Sequence, residues 1–203
     1  MAFTGIVLAG GSSSRMGRDK AFIEVDGRPL VAIAVDALRS GGASRVLVVA
    51  GDALRIRRLD LGLELLADEH PGDGPLGGLA TGLRASRDPI AMVLACDMPA
   101  IDGESVTRIV GALADHPAAL VATPVVGDRR QILTAAYRVT VLPALDAAFA
   151  AGERAPRRAL QAVKIVDVTG IDPFRLDDVD RPQDLSRYAQ PQPAPEVARK
   201  ATP

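Results

Sequence analysis

The 203-residue sequence has little cysteine, few aromatic side chains, almost no net charge and no long apolar run. Cys96 is the only cysteine, so no disulfide can form within the chain. Tryptophan is absent and aromatic residues make up 3% of the chain, which argues against a base-stacking surface for single-stranded nucleic acid. The net charge of −1 gives no general attraction to nucleic acid or to anionic membranes.

These absences predict a compartment and a kind of partner. No apolar stretch approaches the roughly 20 residues that span a bilayer. The N-terminus has neither the charged region nor the long apolar region of a signal peptide. We therefore expect a cytoplasmic protein that binds a small molecule, and neither nucleic acid nor a membrane.

Strand-like and helical patterns alternate along most of the chain, which is typical of βαβ units. The pattern predicts an α/β fold, with a single Rossmann-like three-layer domain over residues 1–189 and a mostly parallel central sheet. Residues 190–203 are rich in proline and are predicted to form a disordered tail. The predicted strands cover residues 4–8, 45–50, 63–67, 90–95, 119–123, 132–138 and 163–168, and helices are predicted near residues 30–38, 78–86, 106–113 and 142–149.

A loop rich in glycine and serine follows the first predicted strand. Gly10 and Gly11 let a ligand approach the main chain, and Arg15, Arg18 and Lys20 add positive charge suited to phosphate. Open α/β sheets bind ligands at the carboxyl ends of their strands, so this position favours a phosphate site over a solvated basic turn. The spacing matches neither a Walker A loop nor a G-x-G-x-x-G dinucleotide motif.

Asp97 directly follows the apolar strand predicted at residues 90–95. A carboxylate at the carboxyl end of a central strand is suited to hold Mg²⁺ together with water and substrate phosphates. The alternative interpretation is a helix cap or a turn aspartate shortly before a proline. Cys96 beside it belongs to no Cys-His-Asn pattern, so it is not predicted to be a nucleophile.

A second glycine-rich stretch, residues 70–79, precedes a helix predicted to begin at Gly77 or Gly78. Its glycines bring main-chain amides and carbonyls close to a flat ligand, and the helix start provides a positive dipole end. A long turn is the alternative. His70 and His116 have no partner at metal-ligand spacing, so no zinc site is predicted.

Charged residues near the end of the chain are further candidates. Asp178 and Asp180 could return to the site as a second metal carboxylate or as acceptor contacts. Asp184 falls in the first turn of a short predicted helix and is interpreted as structural. A basic group near the end of the predicted domain consists of Arg154, Arg157 and Arg158. It is a candidate for binding a second phosphate, and the alternative is the solvated start of a helix.

Four groups of short motifs follow one another along the chain. They are residues 8–11 (Leu-Ala-Gly-Gly) together with 15–17 (Arg-Met-Gly) and 19–20 (Asp-Lys), residues 74–78 (Gly-Pro-Leu-Gly-Gly), residues 96–99 (Cys-Asp-Met-Pro) and residues 178–182 (Asp-Val-Asp-Arg-Pro). These motifs and their order, which span nearly all of residues 4–188, resemble those of the molybdenum cofactor guanylyltransferases, the MobA family of nucleotidyltransferases. The resemblance implies a fold of the nucleotidyltransferase type. It also implies transfer of GMP from Mg-GTP to the terminal phosphate of molybdenum-bound molybdopterin, with release of pyrophosphate.

The resemblance and the residues themselves together imply roles for individual residues. Lys20, Arg15 and Asp97 are the expected catalytic residues, Asp97 is the expected Mg²⁺ ligand, and Asp68 is expected to contact the nucleotide by its base or sugar. The expected nucleotide-binding residues are Leu8, Ala9, Gly10, Gly11, Lys20, Asp68, Gly74, Pro75, Leu76, Gly77 and Asp97. The residues expected to bind the acceptor are Arg154, Arg157, Asp178 and Asp180.

The chain departs from the family pattern in three places. The strand end at Ala50 lacks an asparagine that some members use on the nucleotide, Gln131 is not followed by the common proline, and Asp178 and Asp180 replace asparagines. The first departure concerns one nucleotide contact. The other two concern the identity of the acceptor.

Mg²⁺ is the expected cofactor, and GTP and molybdenum-molybdopterin are the expected substrates. Transient contacts with molybdopterin-synthesis proteins and with recipient molybdoenzymes are expected partners. Three alternatives stay open at this point. They are a cytidylyltransferase for the same cofactor, a nucleotidyltransferase for another phosphorylated acceptor, and a non-catalytic nucleotide-binding protein that delivers the cofactor.

Overall fold

Strands and helices alternate along the chain in a computed structural model that describes residues 1–10, 20–51, 56–57, 59 and 62–188. The strands are β1 (Thr4–Ala9), β2 (Glu24–Val25), β3 (Arg28–Pro29), β4 (Arg45–Ala50), β5 (Glu64–Ala67), β6 (Ile90–Ala95), β7 (Val121–Val126), β8 (Arg129–Arg130), β9 (Thr134–Arg138) and β10 (Ile165–Val168). The α-helices are α1 (Leu30–Ser40), α2 (Pro75–Arg84), α3 (Gly103–Asp115), α4 (Leu142–Ala150) and α5 (Pro156–Ala159). Short 3₁₀ helices cover Lys20–Phe22, Val139–Val141, Pro173–Leu176 and Pro182–Arg187.

One sheet with strand order β10-β7-β9-β6-β1-β4-β5 lies at the centre of the fold, and β8 pairs with β7. Strands β6, β1, β4 and β5 run parallel, as do β7 and β10. Strand β9 is antiparallel to both of its neighbours, β6 and β7. The predicted α/β fold with a mostly parallel sheet is therefore confirmed.

Strand β1 shows that the sheet is covered on both faces. Ile6 and Val7 are adjacent and both fully buried, but they belong to separate hydrophobic clusters. Side chains alternate across a strand, so consecutive apolar residues require a packing layer on each side. One layer contains α1 and α3, and the other contains α2, α4 and α5.

Several element boundaries differ from the predicted ones. Helix α2 begins at Pro75 and not at Gly77 or Gly78, because proline is well suited to the first helical position and Gly74 adopts φ +82° just before it. Strand β9 begins at Thr134, since a turn closed by the bond from Thr134 N to Gln131 O precedes it. Strand β7 covers Val121–Val126 in place of residues 119–123.

A small hairpin of β2 and β3 was not among the predicted elements. Its turn is Asp26-Gly27, with φ +51° and +72°. An Asp-Gly pair between two short extended stretches is a recognised hairpin signal, so this element could have been predicted. In the part of the chain that the structure describes, no helix has the length and apolar character needed to cross a membrane.

Candidate active site

The carboxyl ends of four parallel strands meet at one edge of the sheet. Ala9 of β1 lies beside Ala50 of β4, which in turn lies beside Ala67 of β5. Leu8 lies beside Ala95, the last residue of β6. The residues that follow these strands, among them Gly10, Asp68 and Asp97, therefore emerge at the same edge, where ligands bind in open α/β sheets.

Lys20 links two carboxylates at this edge. Its Nζ lies 3.0 Å from Asp97 Oδ2 and 2.5 Å from Asp180 Oδ1. Burial by itself would lower the pKa of Lys20, but the hydrogen bonds and negative charges of Asp180 and Asp97 outweigh it, so the pKa is raised. Lys20 therefore carries a positive charge at neutral pH, next to the predicted metal ligand.

The segment that carries Asp178 and Asp180 is tied to the end of β6. Val179 is fully buried, and its N–H donates to the carbonyl of Asp97 at 2.9 Å. Asp184 Oδ2 accepts from Asp180 N at 3.0 Å and from Arg181 N at 2.8 Å. These contacts confirm the structural interpretation of Asp184, which caps the 3₁₀ helix Pro182–Arg187.

Asp97, Asp178 and Asp180 form a carboxylate cluster in which one oxygen of each residue lies within 4.8 Å of the others. Partial burial and the negative charges of Asp180 and Asp97 raise the pKa of Asp178. Carboxylate oxygens are the ligands that Mg²⁺ prefers in proteins, and a divalent cation would relieve the mutual repulsion within the cluster. The chemistry of this donor set therefore fits a divalent metal.

An open cavity of about 230 Å³ lies beside Asp97 and is called the Asp97 cavity below. Strand β9 runs against β6, so the residues before β9 lie at the same edge as Asp97. Leu133 O accepts from Ala95 N at 2.8 Å, and Ile132 O accepts from the buried hydroxyl of Tyr137 at 2.5 Å. The cavity lining includes Asp97, Arg130, Gln131, Thr134, Arg157 and Asp178.

Arg157 reaches the Asp97 cavity with the help of Arg130. Arg157 Nη2 donates to the carbonyl of Arg130 at 3.0 Å. The Arg130 guanidinium is held by Asp167 through bonds of 2.6 and 3.2 Å. Arg157, which was predicted to bind the acceptor, thus lines the Asp97 cavity, whereas Arg130 was not among the predicted site residues. The adjacent Arg129 and Arg130, which form the short strand β8, were the available signal.

Asp68 lies next to the second glycine-rich stretch. Residues 68–78, which include the first turn of α2, are called the glycine loop from here on. Asp68 Oδ1 accepts from His70 N at 2.9 Å, and its Oδ2 would lie 3.4 Å from a Cβ placed on Gly78. A Cβ on Gly77 would lie only 2.8 Å from His70 Cβ. The side chains of His70 and Asp68 therefore pack closely against the main chain at the start of α2, and the role of this stretch in binding stays a prediction.

Arg154 and Arg158 are placed differently from Arg157. The Arg154 guanidinium lies 4.0 Å from the centre of the Phe149 ring, and its Nη2 lies 3.8 Å from Asp73 Oδ2 in the glycine loop. Arg158 pairs with Glu153 and is 67% exposed, in accord with a solvated helix start. Arg154 thus lies beside the glycine loop, whereas Arg157 lines the Asp97 cavity.

Some predictions fall outside the described residues. Gly11 and Arg15 belong to residues 11–19, which lie outside the described residues, and the same holds for the predicted tail, residues 190–203. Leu8, Ala9, Gly10 and Lys20 are described, and they lie at the edge of the sheet where the nucleotide was predicted.

A sheet that brings three carboxylates and a lysine to the carboxyl ends of its parallel strands is suited to the class of nucleotidyltransferases, whose reaction needs charge neutralised around phosphates. Comparison with known proteins specifies this class further. The chain belongs to the family described as the MobA-like NTP transferase domain, whose model matches residues 5–168.

Named relatives agree with this family. A Chloroflexus aggregans protein named probable molybdenum cofactor guanylyltransferase is 39% identical over 180 residues, covering 82% of this chain and 80% of the relative. The molybdenum cofactor guanylyltransferase of Pseudomonas putida KT2440 is 35% identical over 190 residues, covering 89% of this chain and 94% of the relative.

Solved structures share the fold. Molybdopterin-guanine dinucleotide biosynthesis protein A from Archaeoglobus fulgidus matches with a TM-score of 0.75 at 21% identity, covering 92% of this chain and 97% of that one. The 2-C-methyl-D-erythritol 4-phosphate cytidylyltransferase from Thermus thermophilus matches with a TM-score of 0.71 at 20% identity, covering 91% and 96%. Enzymes with different nucleotides and acceptors therefore use this architecture.

Proposed function

We propose that this nucleotidyltransferase transfers GMP from Mg-GTP to the terminal phosphate of molybdenum-bound molybdopterin and releases pyrophosphate. The observation that carries the proposal is the position of Lys20, held between Asp97 and Asp180 at the carboxyl edge of the sheet and next to the Asp97 cavity. The choice of GTP and of the pterin acceptor is supported by the names of relatives that are 35% and 39% identical.

The reaction needs no covalent nucleophile from the protein. An oxygen of the acceptor phosphate, already ionised at neutral pH, attacks the α-phosphorus of GTP. The bond from that phosphorus to the oxygen bridging to the β-phosphate breaks, and its electron pair leaves with pyrophosphate. Catalysis then depends on positioning and on neutralising the charge that builds up on the phosphoryl oxygens. The protonated ammonium of Lys20 is suited to the second task.

Mg²⁺ is the metal that we propose for the carboxylate cluster. Asp97 would hold it, with Asp180 or Asp178 as a further oxygen ligand. When bound there, Mg²⁺ supplies positive charge to the triphosphate and orients the attacking and leaving oxygens. The contribution of the protein is to keep the three carboxylates together, which the bond between Val179 and Asp97 does.

The nucleotide is proposed to lie between the end of β1 and the glycine loop. Leu8, Ala9 and Gly10 would contact it from one side, and Asp68 would contact its base or sugar from the other. Main-chain groups of the glycine loop would complete this side. Gly11 and Arg15 are proposed to contact the phosphates. The loop residues with this proposed role are Gly74, Pro75, Leu76 and Gly77.

The acceptor is proposed to enter the Asp97 cavity. Arg157 at its rim offers a guanidinium to an acceptor phosphate. Asp178 and Asp180 can accept hydrogen bonds from the N–H groups of a pterin where they do not bind the metal. We further propose that the protein works in the cytoplasm and passes its product on through transient contacts with recipient molybdoenzymes.

A nucleotide panel tests the choice of base. Binding of GTP, CTP, UTP and ATP to the full chain is measured by calorimetry with Mg²⁺, and product formation is then measured with molybdenum-loaded molybdopterin. We expect GTP to bind most tightly and to give the dinucleotide product together with pyrophosphate. Product from CTP and none from GTP would instead identify a cytidylyltransferase.

A further inference from the structure

We propose that Arg154 is a positioning residue for the glycine loop, and that the short segment from Arg154 to Arg157 connects the two halves of the site. The nucleotide half consists of the end of β1 and the glycine loop, and the acceptor half is the Asp97 cavity with its carboxylate cluster. The proposal rests on the function proposed above, because the role of the glycine loop belongs to that function. It assigns to Arg154 a role different from the acceptor contact that sequence alone predicted.

The first support is the set of contacts that the Arg154 side chain makes. Its guanidinium lies 4.0 Å from the centre of the Phe149 ring, within the range of a cation–π interaction. Its Nη1 donates to the carbonyls of Phe149 and Glu153, both at 3.0 Å. These bonds fix the guanidinium on α4, with Nη2 lying 3.8 Å from Asp73 Oδ2. The cation therefore faces a carboxylate of the glycine loop.

Phe149 contacts the glycine loop at a second point. Its ring centre lies 4.4 Å from that of His70, with an angle of 40° between the planes. The His70 main-chain N–H is in turn bound to Asp68, the residue proposed to contact the nucleotide. Arg154 and His70 thus meet on one aromatic side chain, and the ring connects the arginine to the start of the glycine loop.

The main chain of Arg154 supports the other end of the loop. A Cβ placed on Gly74 would lie 3.3 Å from Arg154 O and 3.5 Å from Arg154 Cβ. Gly74 has φ +82° and immediately precedes the first residue of α2. The Arg154 backbone therefore packs against the point where the loop turns into the helix, so the loop is supported at His70, at Asp73 and at Gly74.

Arg157, three residues further on, contacts the other half of the site. Glu153 Oε1 accepts from Arg154 N and Ala155 N, both at 2.8 Å, which fixes the turn into α5. From α5, Arg157 donates to Arg130 O at the rim of the Asp97 cavity. The two arginines are thus held by one hydrogen-bonded turn but contact different parts of the site, so their effects on the two substrates are separable.

The test compares Arg154→Met with the matched control Arg157→Met in the full chain. Methionine keeps an unbranched stem and removes the charged fork. The readouts are the Kd of the nucleotide that the wild type binds best, measured with Mg²⁺ by calorimetry, the KM of molybdenum-loaded molybdopterin, and amide hydrogen exchange of residues 69–76 in the free protein.

We expect Arg154→Met to raise the nucleotide Kd by about fivefold to tenfold, the size of a lost cation–π and ion contact. It should speed exchange in residues 69–76 and leave the acceptor KM unchanged. Arg157→Met should raise the acceptor KM and leave both other readouts unchanged. Arg154→Lys, which keeps the charge, should recover part of the nucleotide affinity.

A raised acceptor KM with unchanged nucleotide Kd and unchanged exchange in Arg154→Met would overturn the proposal. If that variant fails to fold, Phe149→Leu provides the second test, because it removes the ring and should raise the nucleotide Kd in the same way. A wild type that prefers CTP would refute the proposed base only. The role of Arg154 would still be judged from the CTP affinity and from the exchange of residues 69–76, which requires no nucleotide.

Discussion

The glycine loop and the Asp97 cavity lie at the same edge of the sheet but are built in opposite ways. The loop is a main-chain structure, in which a Cβ on Gly77 would approach His70 Cβ to 2.8 Å. The carboxylate cluster next to the cavity is a side-chain structure, held by the ammonium of Lys20. We therefore expect substitutions that add carbon atoms to disturb the glycine loop, and substitutions that change charge to disturb the carboxylate cluster.

The two halves also differ in how the chain reaches them. The glycine loop is local, because it connects β5 to the helix that follows it in sequence. The Asp97 cavity combines the end of β6, the turn before the antiparallel β9 and a segment near residue 180. Substitutions that affect one half and leave the other unchanged would establish this separation.

The largest effect is expected for Asp97→Asn. This variant keeps the shape of the side chain and removes the charge that pairs with Lys20 and would bind the metal. Product formation should fall by at least about 10²-fold, the usual cost of a lost electrostatic contribution to catalysis.

Asp115→Asn is the matched control for Asp97→Asn. Asp115 is exposed at the last residue of α3, the end of that helix remote from Asp97, and its substitution should leave the rate unchanged. A rate for Asp97→Asn equal to that of this control would show that the carboxylate cluster takes no part in the reaction.

Gly77→Ala should damage the glycine loop and leave the carboxylate cluster intact. The added methyl group would meet His70 Cβ, so the loop must shift at a cost of about 1–3 kcal/mol. We expect a lower urea midpoint and a raised nucleotide Kd, with unchanged metal binding by the nucleotide-free protein.

Gly111→Ala is the control for this substitution. Gly111 lies in α3, and a Cβ there meets nothing within 4 Å. Alanine should therefore stabilise the protein by about 0.5–1 kcal/mol. Equal urea midpoints for the two variants would contradict the close packing inferred at Gly77.

Tyr137→Phe tests the wall of the Asp97 cavity without changing any charge. The buried Tyr137 hydroxyl donates to Ile132 O, and its loss leaves that carbonyl unsatisfied at a cost of about 1 kcal/mol. The acceptor KM should rise while the nucleotide Kd stays at the wild-type value. A change in nucleotide Kd alone would assign the turn before β9 to the nucleotide half.

The smallest effect is expected for Asp178→Asn, and it depends on pH. The pKa of Asp178 is raised in the folded protein, so its contribution to stability is greatest below the ordinary value of 3.8 and is lost as the pH rises through the raised pKa. At neutral pH the ionised carboxylate is therefore unfavourable, and asparagine should stabilise the metal-free protein.

Urea unfolding of Asp178→Asn and wild type at a series of pH values measures this difference. The advantage of the variant should shrink as the pH falls towards 3.8, and also when Mg²⁺ is added at neutral pH. A variant less stable than wild type at neutral pH without metal would show that attraction to Lys20 exceeds the repulsion within the cluster.

Much of the nucleotide half could be predicted from sequence because its signals are local. The uninterrupted apolar run of β1 indicates a strand buried on both faces, and Gly10 follows directly from its end. In the acceptor half, the similar apolar run of β6 places Asp97 two residues after the end of that strand. Gly74 and Pro75 mark the turn into α2, although the helix begins slightly earlier than predicted. The roles of these residues in binding and catalysis stay predictions.

The acceptor half was harder to predict because long-range contacts define it. The sequence predicted that Asp178 and Asp180 could return to the site, and both lie beside Asp97. The pairing of Asp180 with Lys20, across 160 positions of the chain, has no local signal. The antiparallel direction of β9 brings residues 131–133 to Asp97, whereas apolar periodicity does not give strand direction. Arg154 was assigned by its charge, but its ring contact with Phe149 is visible only in three dimensions.

The hydrogen bond from Val179 N to Asp97 O has a consequence for the order of folding. It closes a long loop that contains β7, β9 and β10, and the entropy cost of such closure makes contacts of this kind slow to form. We therefore expect the carboxylate cluster to form after the glycine loop, which needs only neighbouring elements. In a nascent chain the three carboxylates would come together only when the last segment docks.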